Sequence, residues 1–182
     1  KPLPNGNVFL CISRLIKDKG VYEYLQAARI VKEIYPQARF LLVGPYDSNP
    51  SALKPEELQP YIDDGIIEYF GEASDVRPYL EMCNIFVLPS YREGTPKTVL
   101  EAMATGRAII TTDATGCRET VTNGDNGYLV PVKDVDALSS AMVDLIKNPD
   151  KISQMADKGL ELVKQKFDVN IVNNIINTTM NL

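Results

Sequence analysis

Two glutamates, Glu93 and Glu101, stand eight positions apart in a segment that leaves one strand-like run and opens a helix-like one. With a helical rise of about 1.5 Å per residue they are separated by about 12 Å. That exceeds the roughly 5–9.5 Å between the carboxyl pair of a glycoside-hydrolysing site. Two acids so spaced do not share one bond; they hold two ends of one ligand. Each carboxylate accepts paired hydrogen bonds from a vicinal diol, so a ligand with hydroxyl-rich ends fits both. Between them Thr95 is expected as helix N-cap and Pro96 as the first helical residue. The backbone N–H groups of Lys97 and Thr98 are then left free for an anion, and Gly94 allows close approach.

An anion between two polyhydroxyl ends calls for cations. Arg14 and Lys19 follow the first strand-like run in Ser13 to Gly20. A guanidinium and an ammonium there suit a diphosphate. Either cation alone would read as a solvated charge. Glu101 alone would read as an exposed helical residue, but its neighbours Val99, Leu100, Ala102 and Met103 are apolar and put it at the border of a packed face.

These residues need a frame in which distant loops meet. Short apolar, β-branched runs recur at Val8 to Ile12, Arg39 to Val43, Ile66 to Phe70, Ile85 to Leu88, Ala108 to Thr111 and Tyr128 to Val130. Helical patterns lie between them at Gly20 to Tyr35, Asp75 to Cys83 and Pro96 to Thr105. After Pro131 the pattern is helical: Val135 to Lys147, Ile152 to Lys166 and Val169 to Met180, with a break at Asn148-Pro149. Pro45 to Gln59 reads as a loop carrying a short helical piece at Pro55 to Leu58. Strands alternating with helices, and apolar throughout, predict a doubly wound α/β domain with a mainly six-stranded parallel sheet and C-terminal helices. Residues 1–182 are expected to form one domain, with ligands at the carboxyl ends of the strands.

Composition narrows the chemistry. The chain has 182 residues, a net charge of -5 and no histidine, which removes His-based triads and His metal sites and argues against a dedicated nucleic-acid binder. Cys11, Cys83 and Cys117 lack metal-ligand spacing and fit a reducing, cytoplasmic setting. No strand is followed by G-x-G-x-x-G, and a P-loop is missing as well, so dinucleotide enzymes and P-loop NTPases are disfavoured.

The run from Arg14 to Gly20, the E-x7-E spacing of Glu93 and Glu101, Leu100 to Gly106 and Asp125 to Pro131 together resemble family 4 retaining glycosyltransferases. The resemblance covers nearly the whole chain. It implies a glycosyltransferase B fold of which this chain is the C-terminal, Rossmann-like half that binds the donor, a UDP- or GDP-sugar. By resemblance Arg14 and Lys19 contact the diphosphate, Glu93 lies by the donor sugar, Glu101 binds ribose, and Gly94, Thr95, Pro96, Lys97 and Thr98 complete the pocket. It also implies front-face transfer without a divalent metal, and a partner acceptor domain that this chain lacks. Residues 167–182 match the helix that crosses to that domain. The complete enzyme is expected in the cytoplasm, with peripheral membrane association left open. Thr115 to Glu119 departs from the resemblance, which has a Gly-Gly pair and a proline before the glutamate.

Two rivals stay open. A nucleotide-sugar epimerase has the same architecture, but it lacks the paired-glutamate spacing and often uses histidine. In a non-enzymatic α/β binding or receiver-like module the strand-end residues would be solvated charges; a receiver in particular needs an acidic cluster after the first strand, where Ser13 and Arg14 stand.

Overall fold

The computed structural model describes residues 1–166. The expected crossover helix at 167–182 lies outside them. Six strands form one parallel sheet in the order β3-β2-β1-β4-β5-β6. They are β1 (Val8–Ile12), β2 (Arg39–Val43), β3 (Glu68–Tyr69), β4 (Ile85–Leu88), β5 (Ala108–Thr112) and β6 (Gly127–Val130). The strand order reverses between β1 and β4, and that reversal opens a crevice at their carboxyl ends.

The pleat explains why the strands are apolar on both faces. Phe9 and Cys11 of β1 face one hydrophobic layer, as do Phe40 and Leu42 of β2 and Ile85 and Val87 of β4. Val8, Leu10, Ile12, Leu41, Val43, Phe86 and Leu88 face the other. Residues of alternate parity therefore feed opposite cores, and both must be apolar because helices cover both faces. Helix α1 (Val21–Ile34), α2 (Pro55–Asp63) and α5 (Val135–Lys147) supply the first layer. Helix α3 (Arg77–Met82) and α4 (Lys97–Thr105) supply the second. Helix α6 (Pro149–Lys166) contributes Ile152 and Met155 to the first layer and Val163 to the second, so it closes one end of the sandwich.

Several elements differ from expectation; α6, for one, begins at Pro149 where the sequence suggested a break and a start at Ile152. Strand β3 shrinks to Glu68–Tyr69 because the N–H groups of Ile66 and Ile67 donate to the Tyr61 carbonyl, tying them to the end of α2. Helix α2 runs to Asp63, past the expected end at Leu58, because it absorbs Pro60. Proline removes one intrahelical donor there, at an exposed stretch where water can satisfy the freed carbonyl. Helix α3 starts later than Asp75, whose carboxylate instead accepts the Arg77 N–H at 3.1 Å and forms a turn before the helix.

Candidate functional site

The loops leaving β1 and β4 meet over the strand-order reversal. Tyr91 N–H donates to the Asp18 carbonyl at 2.8 Å, locking one loop to the other. The Ser90 hydroxyl sits 3.0 Å from both the Asp18 and Arg92 carbonyl oxygens. This lock brings Lys19 to Glu93, with Nζ 2.7 Å from Oε1. The side chains are only 22% and 13% exposed, so the ion pair is partly withdrawn from water and charge-assisted. A cleft of about 250 Å³ opens beside it, lined by Ser13, Arg14, Lys19, Glu93, Thr95, Pro96, Lys97 and Thr98 along with Ile12 and Leu88.

Helix α4 begins at Lys97 with Pro96 as N-cap, one residue later than expected. Thr95 therefore caps nothing, and no side chain satisfies the first turn. The physical result is the predicted one, because the first helical N–H groups are still those of Lys97 and Thr98. Among the described residues neither has a hydrogen-bond partner, while the N–H groups of Val99 and Leu100 reach the Pro96 carbonyl at 3.0 and 3.3 Å. Two unpartnered donors at a helix N-terminus, inside a cleft that also holds Arg14 and Lys19, are an arrangement that could hold an anion.

Arg14 is the looser cation. Its side chain is 57% exposed, and its guanidinium meets Asp47, on the loop after β2, at 3.4 Å. Glu101 does not line this cleft. It sits one turn into α4, with Lys97 Nζ 3.9 Å away, and its side chain is 19% exposed. Burial holds its carboxyl above the ordinary value of 4.5, against the pull of Lys97 and with a push from Asp75. Lys97 is itself 77% exposed, so its backbone contributes more to the site than its ammonium.

Gly94 lines a second, adjoining cleft of about 290 Å³ with Thr115, Gly116, Glu119 and Thr120, and this cleft shares Glu93, Thr95 and Pro96 with the first. The β5 loop is thus a second wall that sequence reasoning singled out only as a departure from the resemblance. Its signal was Gly116, inside that irregular run. Arg118 turns away, pairing with Asp113 at 3.1 Å. A further network escaped the sequence: the Tyr91 hydroxyl donates to Glu23, and Lys133 Nζ stands 4.9 Å from the Tyr91 ring centroid. Burial and the Glu23 carboxylate push the Tyr91 phenol up.

Cys11, Cys83 and Cys117 are free and buried. Burial pushes Cys11 and Cys83 to about 12, which leaves them inert thiols. Among the described residues no group of three or more His, Cys, Asp or Glu is placed to hold a metal ion. No described helix is long and apolar enough to cross a membrane.

Comparison with known proteins gives a consistent family. N,N'-diacetylbacillosaminyl-diphospho-undecaprenol alpha-1,3-N-acetylgalactosaminyltransferase of Campylobacter jejuni is 36% identical over 165 residues, covering 91% of this chain and 42% of that protein. The capsular polysaccharide biosynthesis glycosyltransferase CapM of Staphylococcus aureus is 27% identical over 172 residues, with 94% and 45% covered. The chain therefore spans less than half the length of either relative. The crystal structure of the C-terminal domain of the group 1 glycosyl transferase LpcC from Francisella tularensis matches with a TM-score of 0.80 at 28% identity, covering 92% of this chain and 89% of that one. A family model for the group 1 glycosyl transferases matches residues 6–148, most of the length, and this chain belongs to that family.

Proposed function

We propose that the chain is the donor-binding domain of a retaining glycosyltransferase and holds a nucleoside diphosphate sugar, UDP- or GDP-linked, at the carboxyl ends of β1 and β4. The observation that carries this reading is the cleft in which Arg14, Lys19 and the unpartnered N–H groups of Lys97 and Thr98 converge. Four donors around one volume suit a diphosphate better than any single carboxylate. Glu93, beside this volume, takes the sugar end, and Glu101, deeper along α4, takes the ribose hydroxyls.

The reaction is transfer of the glycosyl group to an acceptor hydroxyl with retained configuration. As the glycosidic bond breaks, negative charge grows on the departing diphosphate. Lys19 and the two N–H groups, joined by the looser Arg14, stabilise that charge, which is where most of the rate gain arises. These cations supply what a divalent metal supplies elsewhere, so transfer is expected to survive a chelator. Glu93 is held by Lys19 at 2.7 Å, an engagement that blunts its nucleophilicity and favours front-face attack. A trapped glycosyl adduct on Glu93 would contradict that route. The acceptor would be bound by a second domain outside these residues, since the chain spans less than half the length of its relatives. An undecaprenol-linked acceptor, such as the Campylobacter relative's name describes, would bring the complete enzyme to the cytoplasmic membrane surface. The three free thiols support a reducing compartment.

A thermal-shift screen with UDP, GDP, ADP and their sugars tests the reading, because a ligand bound only by the folded state raises Tm. At least one nucleoside diphosphate should raise it. No response to any of them would favour the non-enzymatic module.

A further inference from the structure

The Lys19–Glu93 pair joins two loops, and each loop is fixed by a glycine pressed against a neighbouring backbone. Gly20, directly after Lys19, has φ +73, and a Cβ there would lie 1.9 Å from the Pro89 carbonyl oxygen at the end of β4. Gly116, on the β5 loop, has φ +82, and a Cβ there would lie 2.1 Å from the Glu93 oxygen and 2.3 Å from the Gly94 oxygen. Both separations are far inside contact distance, so no residue with a side chain fits without moving backbone. The same approach is sealed by the Glu93 N–H, which donates to the Thr115 carbonyl at 2.9 Å. The backbone that carries the Glu93 carboxylate therefore has its position set from the β5 side.

We propose that Gly116 is a positioning residue: by letting the β5 loop close onto the Glu93–Gly94 peptide, it delivers the Glu93 carboxylate to Lys19. Residue 116 then tunes the cleft that holds Arg14 and Lys19 without lining it. What the pair is for rests on the proposed function; that Gly116 assembles it does not. An ordinary turn glycine would behave differently. Gly65 has a comparable φ of +71 but nothing within 4 Å of its missing Cβ, so Gly65→Ala adds backbone strain without pushing on any loop.

The test uses the chain without nucleotide. An amine-acylating reagent modifies lysines at rates read by mass spectrometry, with exposed Lys97 as internal reference. Glu93→Gln should raise Lys19 modification several-fold by releasing its ammonium. Gly116→Ala should raise it comparably, the Gly116→Ala/Glu93→Gln double variant should add nothing further, and Gly65→Ala should leave it at the wild-type rate. Wild-type modification of Lys19 in Gly116→Ala, or additive effects in the double variant, would overturn the proposal. If Gly116→Ala does not fold, Gly116→Asn presents the same Cβ with less penalty at positive φ, and the same two outcomes decide the matter. Independently, hydrogen exchange in the wild-type chain should show the Glu93 amide protected, and free exchange there would also overturn it. No nucleotide enters these measurements, so their outcome stays separate from whether the chain binds a nucleoside diphosphate.

Discussion

Two arginines stand at opposite rims of the same sheet and are treated in opposite ways. Arg107, at the amino end of β5, is fully buried. Its guanidinium donates to the carbonyls of Leu80 at 2.8 Å and Lys1 at 2.9 Å, with those of Thr105, Gly106 and Pro2 each at 3.2 Å. Arg14, at the carboxyl end of β1, has a side chain 57% exposed, and among the described residues its guanidinium pairs only with Asp47, at 3.4 Å. Burial lowers the Arg107 pKa, yet the charge persists because arginine stays protonated and the carbonyl dipoles surround it. A cation whose donors are all taken by backbone is a structural clasp. A cation with donors left over among the described residues, beside a helix terminus with N–H groups left over, is what the proposed diphosphate site requires.

If that contrast is right, the two rims should fail in different ways. The largest effect is expected at the clasp: Arg107→Ala leaves several buried carbonyls without donors and should cost roughly 3 kcal/mol or more of stability, read by urea denaturation. At the other rim, Arg14→Ala and Lys19→Ala should each weaken nucleoside diphosphate binding by about 1–3 kcal/mol in calorimetric titration, and Arg14→Ala, whose ion pair is exposed, should shift the unfolding free energy by little. A large stability loss from Arg14→Ala would erase the distinction between the rims.

A smaller effect concerns Glu101. Its folded-state carboxyl is raised above 4.5 by burial, so the folded state binds the proton more tightly than the unfolded chain. Ionised Glu101 therefore works against folding above that range, and the penalty disappears as pH falls through it. Glu101→Gln should be more stable than the wild type at neutral pH and equal to it in acid, while losing affinity for a ribose-containing ligand. Equal stability at both pH values would remove the evidence for its burial. The smallest effect is predicted for Lys97→Ala. The ammonium is 77% exposed and 3.9 Å from Glu101, so stability should change by less than about 0.5 kcal/mol, with diphosphate affinity nearly kept because the backbone N–H remains. A large loss of affinity would shift the anion site from backbone to side chain.

The two rims were not equally legible in the sequence. Strands β1, β2, β4 and β5 stand out because burial on both faces demands apolar residues at most positions, and that demand is written locally. Glu93, Lys19 and the α4 terminus could be placed on strand-end loops for the same reason. That they share one rim follows from the strand-end placement, but the direct 2.7 Å Lys19–Glu93 contact could not be read, since it depends on how the β1, β4 and β5 loops press together. Arg107 carried no signal at all: between Gly106 and Ala108 it resembles any surface cation, and its partners are carbonyls from residues as distant as Lys1 and Leu80. Pro60 misled in the other direction, because a proline near an exposed helix end costs less than one in a packed interior. Asp47, the partner of Arg14, likewise lies on a loop whose path sequence does not specify.

The central claim is that the cleft between β1 and β4 is built for a diphosphate. Calorimetric titration of one nucleoside as its free form, monophosphate and diphosphate, into the wild-type chain and Lys19→Ala, tests it most directly. Affinity should rise steeply on adding the second phosphate, and Lys19→Ala should remove most of that increment. A monophosphate that binds as tightly as the diphosphate, in a chain that binds nucleotide at all, would contradict it.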